Sequence, residues 1–127
     1  MRITSLETLR VGGLGNMLWL RVFTDAGITG LGEAFRNAEA TEAYIHETLA
    51  PWLIGKDPRS ITFHREAILR RIGNRFMGTP SRSVEIRGNA AMDLALWDIL
   101  GKSLGVPVAD LLGGRAREKI RIYNTCA

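Results

Sequence analysis

The sequence predicts an α+β fold in which a three-stranded antiparallel meander precedes a bundle of helices. Three observations carry this reading. Up to Asn37, short runs of branched and aromatic residues are separated by glycine-containing breaks; beyond it, apolar residues recur at helical spacing. Third, the stretch Asn89 to Gly114, NAAMDLALWDILGKSLGVPVADLLGG, is apolar on almost every side of a helix.

The first strand is expected over Arg2 to Val11, where Ile3, Leu6, Leu9 and Val11 alternate loosely with polar residues. Gly12-Gly13-Leu14-Gly15-Asn16 breaks it. Met17 to Thr24, MLWLRVFT, has the composition of a second strand, Asp25-Ala26-Gly27 that of a turn, and Ile28 to Ala34 forms the third. Connections this short make neighbours antiparallel.

Ala40, Ala43, Tyr44, Ile45, Leu49, Trp52 and Leu53 then mark a helix whose last turn Pro51 should kink or shorten. Asp57-Pro58 reads as a cap followed by a first-turn proline, opening a second helix with an apolar stripe of Ile61, His64, Arg65, Ile68, Leu69 and Ile72. After a loop from Asn74 to Ser83 comes the apolar helix, from about Val84. Gly105 is placed as its left-handed cap, Pro107 starts a short helix through Leu112, and Gly113-Gly114 ends it. Lys119 to Thr125, KIRIYNT, alternates like a strand, with no hairpin partner close in sequence.

Composition narrows the class. A chain of 127 residues, 46% hydrophobic and 24% charged, is of ordinary size and make-up for one globular domain. The single cysteine, Cys126, allows no intrachain disulfide and fits a reducing compartment; with no membrane span and no signal peptide, the expectation is a cytoplasmic protein. The net charge of +4 is carried mostly by arginine, concentrated in the middle at Arg59, Arg65, Arg70, Arg71, Arg75, Arg82 and Arg87. Only Phe63 and Phe76 lie among them, so a base-stacking platform is poorly supported and a solvated or subunit-facing surface fits better.

Other motifs are bland. Gly13-Leu14-Gly15 and Gly30-Leu31-Gly32 do not complete a phosphate-binding glycine loop, and turn glycines are the favoured reading. His46 and His64 lie on different helices without metal-ligand spacing, which favours surface or helix-flank positions. Glu42 and His46 are helical neighbours, and Cys126 has no identifiable base beside it.

TDAGITGLGEA at Thr24 to Ala34, LAPWLIGKDP at Leu49 to Pro58 and the apolar helix, in that order after a meander, resemble the N-terminal capping domain of the enolase superfamily, nearest to the mandelate racemase and muconate lactonizing enzyme group. The resemblance spans essentially the whole chain. It implies a capping domain over residues 1–113, with 114–127 as linker and entry strand to a C-terminal (β/α) barrel that this chain does not contain, against which the apolar helix would pack. It further implies an enzyme that removes the proton α to a carboxylate and uses Mg²⁺ held by the barrel, with no catalytic residue and no metal ligand in this chain. Asp93 and Asp98 are then structural. A sugar-acid dehydratase or racemase is the expected activity, inactive as this piece alone; its expected partners are its own barrel, a carboxylate substrate and further copies of itself, not nucleic acid or membrane.

The capping loops of such enzymes close over the barrel mouth, and here they match Gly12 to Met17, which is short, and the stretch after Gly32. The resemblance therefore nominates Asn16, Phe35, Arg36 and Asn37 as substrate-binding residues, with Phe76 to Ser83 near the same site. Arg36 suits a carboxylate or a hydroxyl of a sugar acid, and is equally readable as a solvated loop arginine. The alternative from another class is a stand-alone small basic module that binds nucleic acid through its arginines, or a partner through Ala90 to Leu104.

Overall fold

A strand whose apolar residues stand at Ile3 and Leu6 cannot point both to one face without an irregularity, because successive side chains alternate. The computed structural model, which describes residues 1–73 and 82–123, shows that irregularity. β1 (Ile3–Leu9) pairs antiparallel with β2 (Met17–Thr24), with Ile3 opposite Thr24 and Ser5 opposite Phe23, so the register slips between them. The bulge turns both Ile3 and Leu6 towards the core. β3 (Thr29–Phe35) pairs with the other edge of β2, giving the sheet order β1-β2-β3 of a meander. Gly27, at φ 73, makes the β2-β3 turn, and the buried Thr24 hydroxyl donates to the Ile28 carbonyl across it at 2.8 Å.

Leu18, Leu20 and Val22 of β2 face the helices and are fully buried. Their neighbours on β3 are Gly30, Gly32 and Ala34, and the small size of this row sets the architecture. α4 (Arg82–Leu104) lies directly on it: a Cβ added at Gly30 would stand 2.1 Å from the Ala95 carbonyl oxygen, and one at Gly32 would stand 1.9 Å from that of Ala91. These glycines are therefore not the turn glycines expected from the sequence. They sit mid-strand, where the lack of a side chain lets a helix backbone touch a strand backbone.

The first helical region is interrupted. α1 (Ala38–Tyr44) runs into a π turn (Ile45–Leu49) and continues as α2 (Ala50–Leu53). Pro51 explains the interruption, because its ring would collide with the carbonyl of Glu47 four residues earlier in a regular helix. The widened turn, with the Ala50 N–H bonded to the Ile45 carbonyl, absorbs the conflict without ending the helix. Ile45, Leu49 and Leu53 remain buried on one side and join Met92, Leu96 and Ile99 of α4 in the core.

α3 (Ile61–Gly73) begins later than Asp57-Pro58 suggests. The Asp57 carboxylate is taken by its own turn, accepting the Arg59 backbone N–H at 3.0 Å and the Arg59 guanidinium, so it does not cap the helix. Of the expected stripe, Ile61, His64 and Ile68 are buried, Arg65 and Leu69 are exposed, and the Ile72 side chain lies outside the described set. His64 is 1% exposed, contrary to the surface reading, and its Nε2 stands 2.8 Å from the Asp57 carbonyl oxygen. That oxygen can only accept, so Nε2 carries the proton.

Gly105, at φ 68, ends α4; the Val106 N–H bonds to the Gly101 carbonyl at 3.0 Å, and α5 (Val108–Leu111) follows Pro107. α4 is not covered on nearly every side within this chain. Ala91, Met92, Ala95, Leu96 and Ile99 are buried against the sheet and α1, while Leu94 is 53% exposed and Leu104 59%. Lys119 to Tyr123 do not form the expected strand, and Ile120, Ile122 and Tyr123 project into solvent. An alternating segment becomes a strand only where a partner edge meets its hydrogen bonds. Cys126 and the stretch from Phe76 to Ser81 lie outside the described residues.

Candidate functional site

The nominated residues meet where β3 leaves the sheet. Met17 opposes Phe35 at the end of the β2-β3 ladder, so the loop before β2 and the loop after β3 are adjacent by register alone. One further bond ties them, with the Arg36 N–H donating to the Asn16 carbonyl at 2.7 Å. The Asn16 loop is itself two tight turns, Leu14 N–H to Val11 O and Met17 N–H to Leu14 O, each at 2.8 Å.

Arg36 has φ 68 and Asn37 φ 51. Two successive left-handed residues reverse the chain from β3 into α1, and both carry side chains where glycine would be relaxed. Left-handed backbone costs an L-residue about 1–2 kcal/mol. Asn37 gives α1 no side-chain cap in return. Asparagine tolerates this conformation; arginine has no such aptitude, so its side chain is retained at a conformational cost.

Beside the reversal lies an open depression of about 400 Å³, lined by Glu33, Ala34, Phe35, Arg36, Arg87 and Ala90. The Phe35 ring is 52% exposed, and the Arg36 guanidinium carbon sits 5.7 Å from its centroid. Asn16 and Asn37 flank the depression without lining it. Arg87 was not singled out by the sequence; it was only one of several arginines in the middle of the chain. Behind it, Gly88 lets the Tyr44 ring approach α4, and the Tyr44 hydroxyl donates to Asn89 Oδ1 at 2.9 Å. Burial, reinforced by the Glu85 carboxylate, raises the pKa of that hydroxyl and keeps it neutral.

On the other side of the Asn16 loop, Thr8 Oγ1 donates to Glu42 Oε1 at 2.7 Å and lies 2.8 Å from His46 Nε2. Glu42 and His46 are thus linked through β1 rather than simply adjacent on a helix. Arg10 pairs with Glu39 and Glu42 at 3.1 and 3.0 Å and pins the start of α1 to β1.

Asp98 has the structural role expected of it. Its Oδ2 accepts the Leu31 N–H at 2.8 Å and Lys102 Nζ at 2.7 Å, and Lys102 also donates to the Thr29 carbonyl at 2.8 Å. Among the described residues no group of three His, Cys, Asp or Glu side chains is placed to hold a metal ion. No described helix is long and apolar enough to cross a membrane.

Comparison with known proteins decides the family. The description "Mandelate racemase / muconate lactonizing enzyme, N-terminal domain" matches residues 11–113. The chain belongs to this family. A protein of Ralstonia nicotianae named D-galactonate dehydratase is 41% identical over 98% of this chain. A crystal structure of an Agrobacterium tumefaciens enolase of the mandelate racemase subgroup superimposes with TM-score 0.85 and 49% identity, covering 95% of this chain and 32% of that one. An enolase from Pantoea ananatis, solved with bound D-gluconate and Mg, gives TM-score 0.78 and 32% identity over 91% of this chain and 28% of that one.

This chain spans 31% of the length of the Ralstonia relative. As a mandelate racemase/muconate lactonizing enzyme N-terminal domain, it has the fold that the resemblance implied, a three-stranded antiparallel meander followed by helices. A free-standing basic nucleic-acid module is not the favoured reading. Arg59 and Arg70 are occupied by Asp57 and Glu66, and Arg87 belongs to the depression beside β3.

Proposed function

We propose that this chain is the lid of a Mg²⁺-dependent sugar-acid dehydratase, and that Asn16, Phe35, Arg36 and Asn37 meet the substrate when the lid is closed. The names of its relatives support the reaction class. Dehydration of a polyhydroxy acid removes the proton α to the carboxylate and expels the hydroxyl from the neighbouring carbon. The acid, the base and the metal for that reaction belong to residues outside those described here. This chain contributes recognition and enclosure, since expelling water strengthens each charge interaction within a site.

One observation carries the reading. Arg36 and Asn37 are held in a reversal of left-handed residues, fastened to Asn16 across the two loops and beside an open depression that Arg36 and Arg87 line. Strained side-chain-bearing residues of this kind collect at ligand clamps.

The exposed apolar residues fit the same account. Leu94, Trp97, Leu31 and Trp19 line a second depression of about 410 Å³ along the outer side of β3 and α4. In the proposed enzyme this surface and the exposed Ile120, Ile122 and Tyr123 are covered by the barrel, with residues 1–113 as cap and 114–127 as the way into it.

The test is to assay the full-length protein with Mg²⁺ against a panel of sugar acids, following formation of the 2-keto-3-deoxy product. Turnover by the full-length protein, with none by residues 1–127 alone, is the expected result. Turnover by the isolated piece, or none by the full-length protein on any sugar acid, would refute the proposal.

A further inference from the structure

The depression beside Arg36 is lined by a second arginine, and its position follows from the way α4 lies on β3. Ala95 sits on Gly30 and Ala91 on Gly32. Four helical residues and two strand residues advance by nearly the same length, about 6 Å and about 6.7 Å. The next step along this match sets Arg87 beside Ala34, at the end of β3 where Arg36 begins. Both arginines line the depression.

Four other arginines of the fold are paired with carboxylates. Arg10 faces Glu39 and Glu42, Arg21 faces Glu7, Arg59 faces Asp57 and Arg70 faces Glu66. Among the described residues, neither Arg36 nor Arg87 has a carboxylate within ion-pair distance. Arg87 donates a long bond, 3.4 Å, to the Ser83 carbonyl, and Arg36 lies over the Phe35 ring. Two arginines against the single carboxylate of Glu33 leave this lining with a net positive charge, which suits an anion, and the guanidinium fork matches a carboxylate or a phosphate. Glu33, on the same lining, offers acceptor oxygens to hydroxyl groups.

We infer that Arg36 and Arg87 together hold an anionic group at the end of the sugar acid remote from the reacting carbon. The substrate then has two acidic ends, the second being a carboxylate or a phosphate. This rests on the dehydratase reading, in which the carboxylate next to the departing proton is engaged by residues outside those described. The lid pair therefore meets the opposite end of the molecule.

The experiment uses the full-length enzyme with Mg²⁺ and three substrate types: an aldonic acid, the corresponding aldaric diacid, and the aldonic acid phosphorylated on its terminal carbon. One of the doubly acidic substrates is expected to exceed the aldonic acid in kcat/KM by about tenfold or more, the scale of one charge-assisted hydrogen bond. Which of them does so identifies the terminal group. Arg87→Gln should abolish that preference mainly through KM, and Arg87→Lys should restore part of it, with the Tm of both variants unchanged. An aldonic acid handled as well as either doubly acidic substrate, or a preference that survives Arg87→Gln, would overturn the two-arginine receptor and leave the dehydratase reading standing. If no substrate of any type were dehydrated, the dehydratase reading would fall and the receptor with it.

Discussion

Asp98 Oδ2 accepts the backbone N–H of Leu31 at 2.8 Å, so a helix side chain completes the hydrogen bonding of a sheet edge. β3 is an edge strand, and its outward N–H and C=O groups would otherwise be open to pairing with another chain. Lys102 meets the neighbouring carbonyl, that of Thr29, and pairs with Asp98. Together the two side chains replace a fourth strand and hold β3 at a fixed position along α4.

The first prediction tests that clamp. Asp98→Ala should expose the Leu31 amide and raise its hydrogen-exchange rate, at a cost of about 1–2 kcal/mol for an acceptor lost from a backbone donor. Lys102→Ala should cost less, because an exposed i, i+4 ion pair contributes only about 0.3–0.5 kcal/mol. Equal protection of Leu31 in wild type and Asp98→Ala would show that the bond does not guard the edge.

A second prediction concerns the contact of α4 with β3. Gly32→Ala places a methyl group 1.9 Å from the Ala91 carbonyl oxygen, with helix backbone behind it that has no rotamer to change. The expected loss is about 3 kcal/mol, the upper part of the range for overpacking. Gly15→Ala, where nothing lies within 4 Å, should change stability little. Urea unfolding compares the two, and similar midpoints would contradict the close approach.

The third prediction is a titration. The Arg59 side chain, bonded to Asp57, lowers that carboxyl from the usual 3.8 to about 2. A carboxyl lowered by folding adds stability above its unfolded pKa and loses that contribution as pH falls through the folded value, so the window runs from about pH 4 to pH 2. The pair is exposed, so the effect on stability should be small and the NMR shift is the better readout. An Asp57 carboxyl that titrates at its usual value would mean that the turn is not closed by Arg59.

These tests separate what the sequence shows from what only the fold shows. Met17–Thr24 was readable to the residue, because aromatic and branched residues bounded by glycine loops leave little choice of strand. The start of α3 was not, because Asp57-Pro58 serves equally as a helix opening and as a turn, and the carboxylate goes to Arg59. His64 looked like a flank residue, since the carbonyl that makes its burial tolerable lies seven residues earlier in a turn rather than in a helix. Gly30 and Gly32 carried no local sign that a helix would lie against them. The nominated Asn16, Phe35, Arg36 and Asn37 were reached through family resemblance, and the structure brings their two loops together. Arg87 was hidden, because its place beside Arg36 depends on how α4 lies on β3.

The central claim is that the chain keeps arginine in a left-handed conformation at position 36 for recognition. The most direct measurement is Arg36→Gly in the full-length enzyme, reading stability and turnover together. Glycine relaxes the backbone, so Tm should hold or rise, while kcat/KM on the preferred sugar acid should fall by about tenfold to a hundredfold as a charge-assisted contact is lost. Unchanged kcat/KM in a variant at least as stable would show that the Arg36 side chain does not serve the substrate, and would contradict the account.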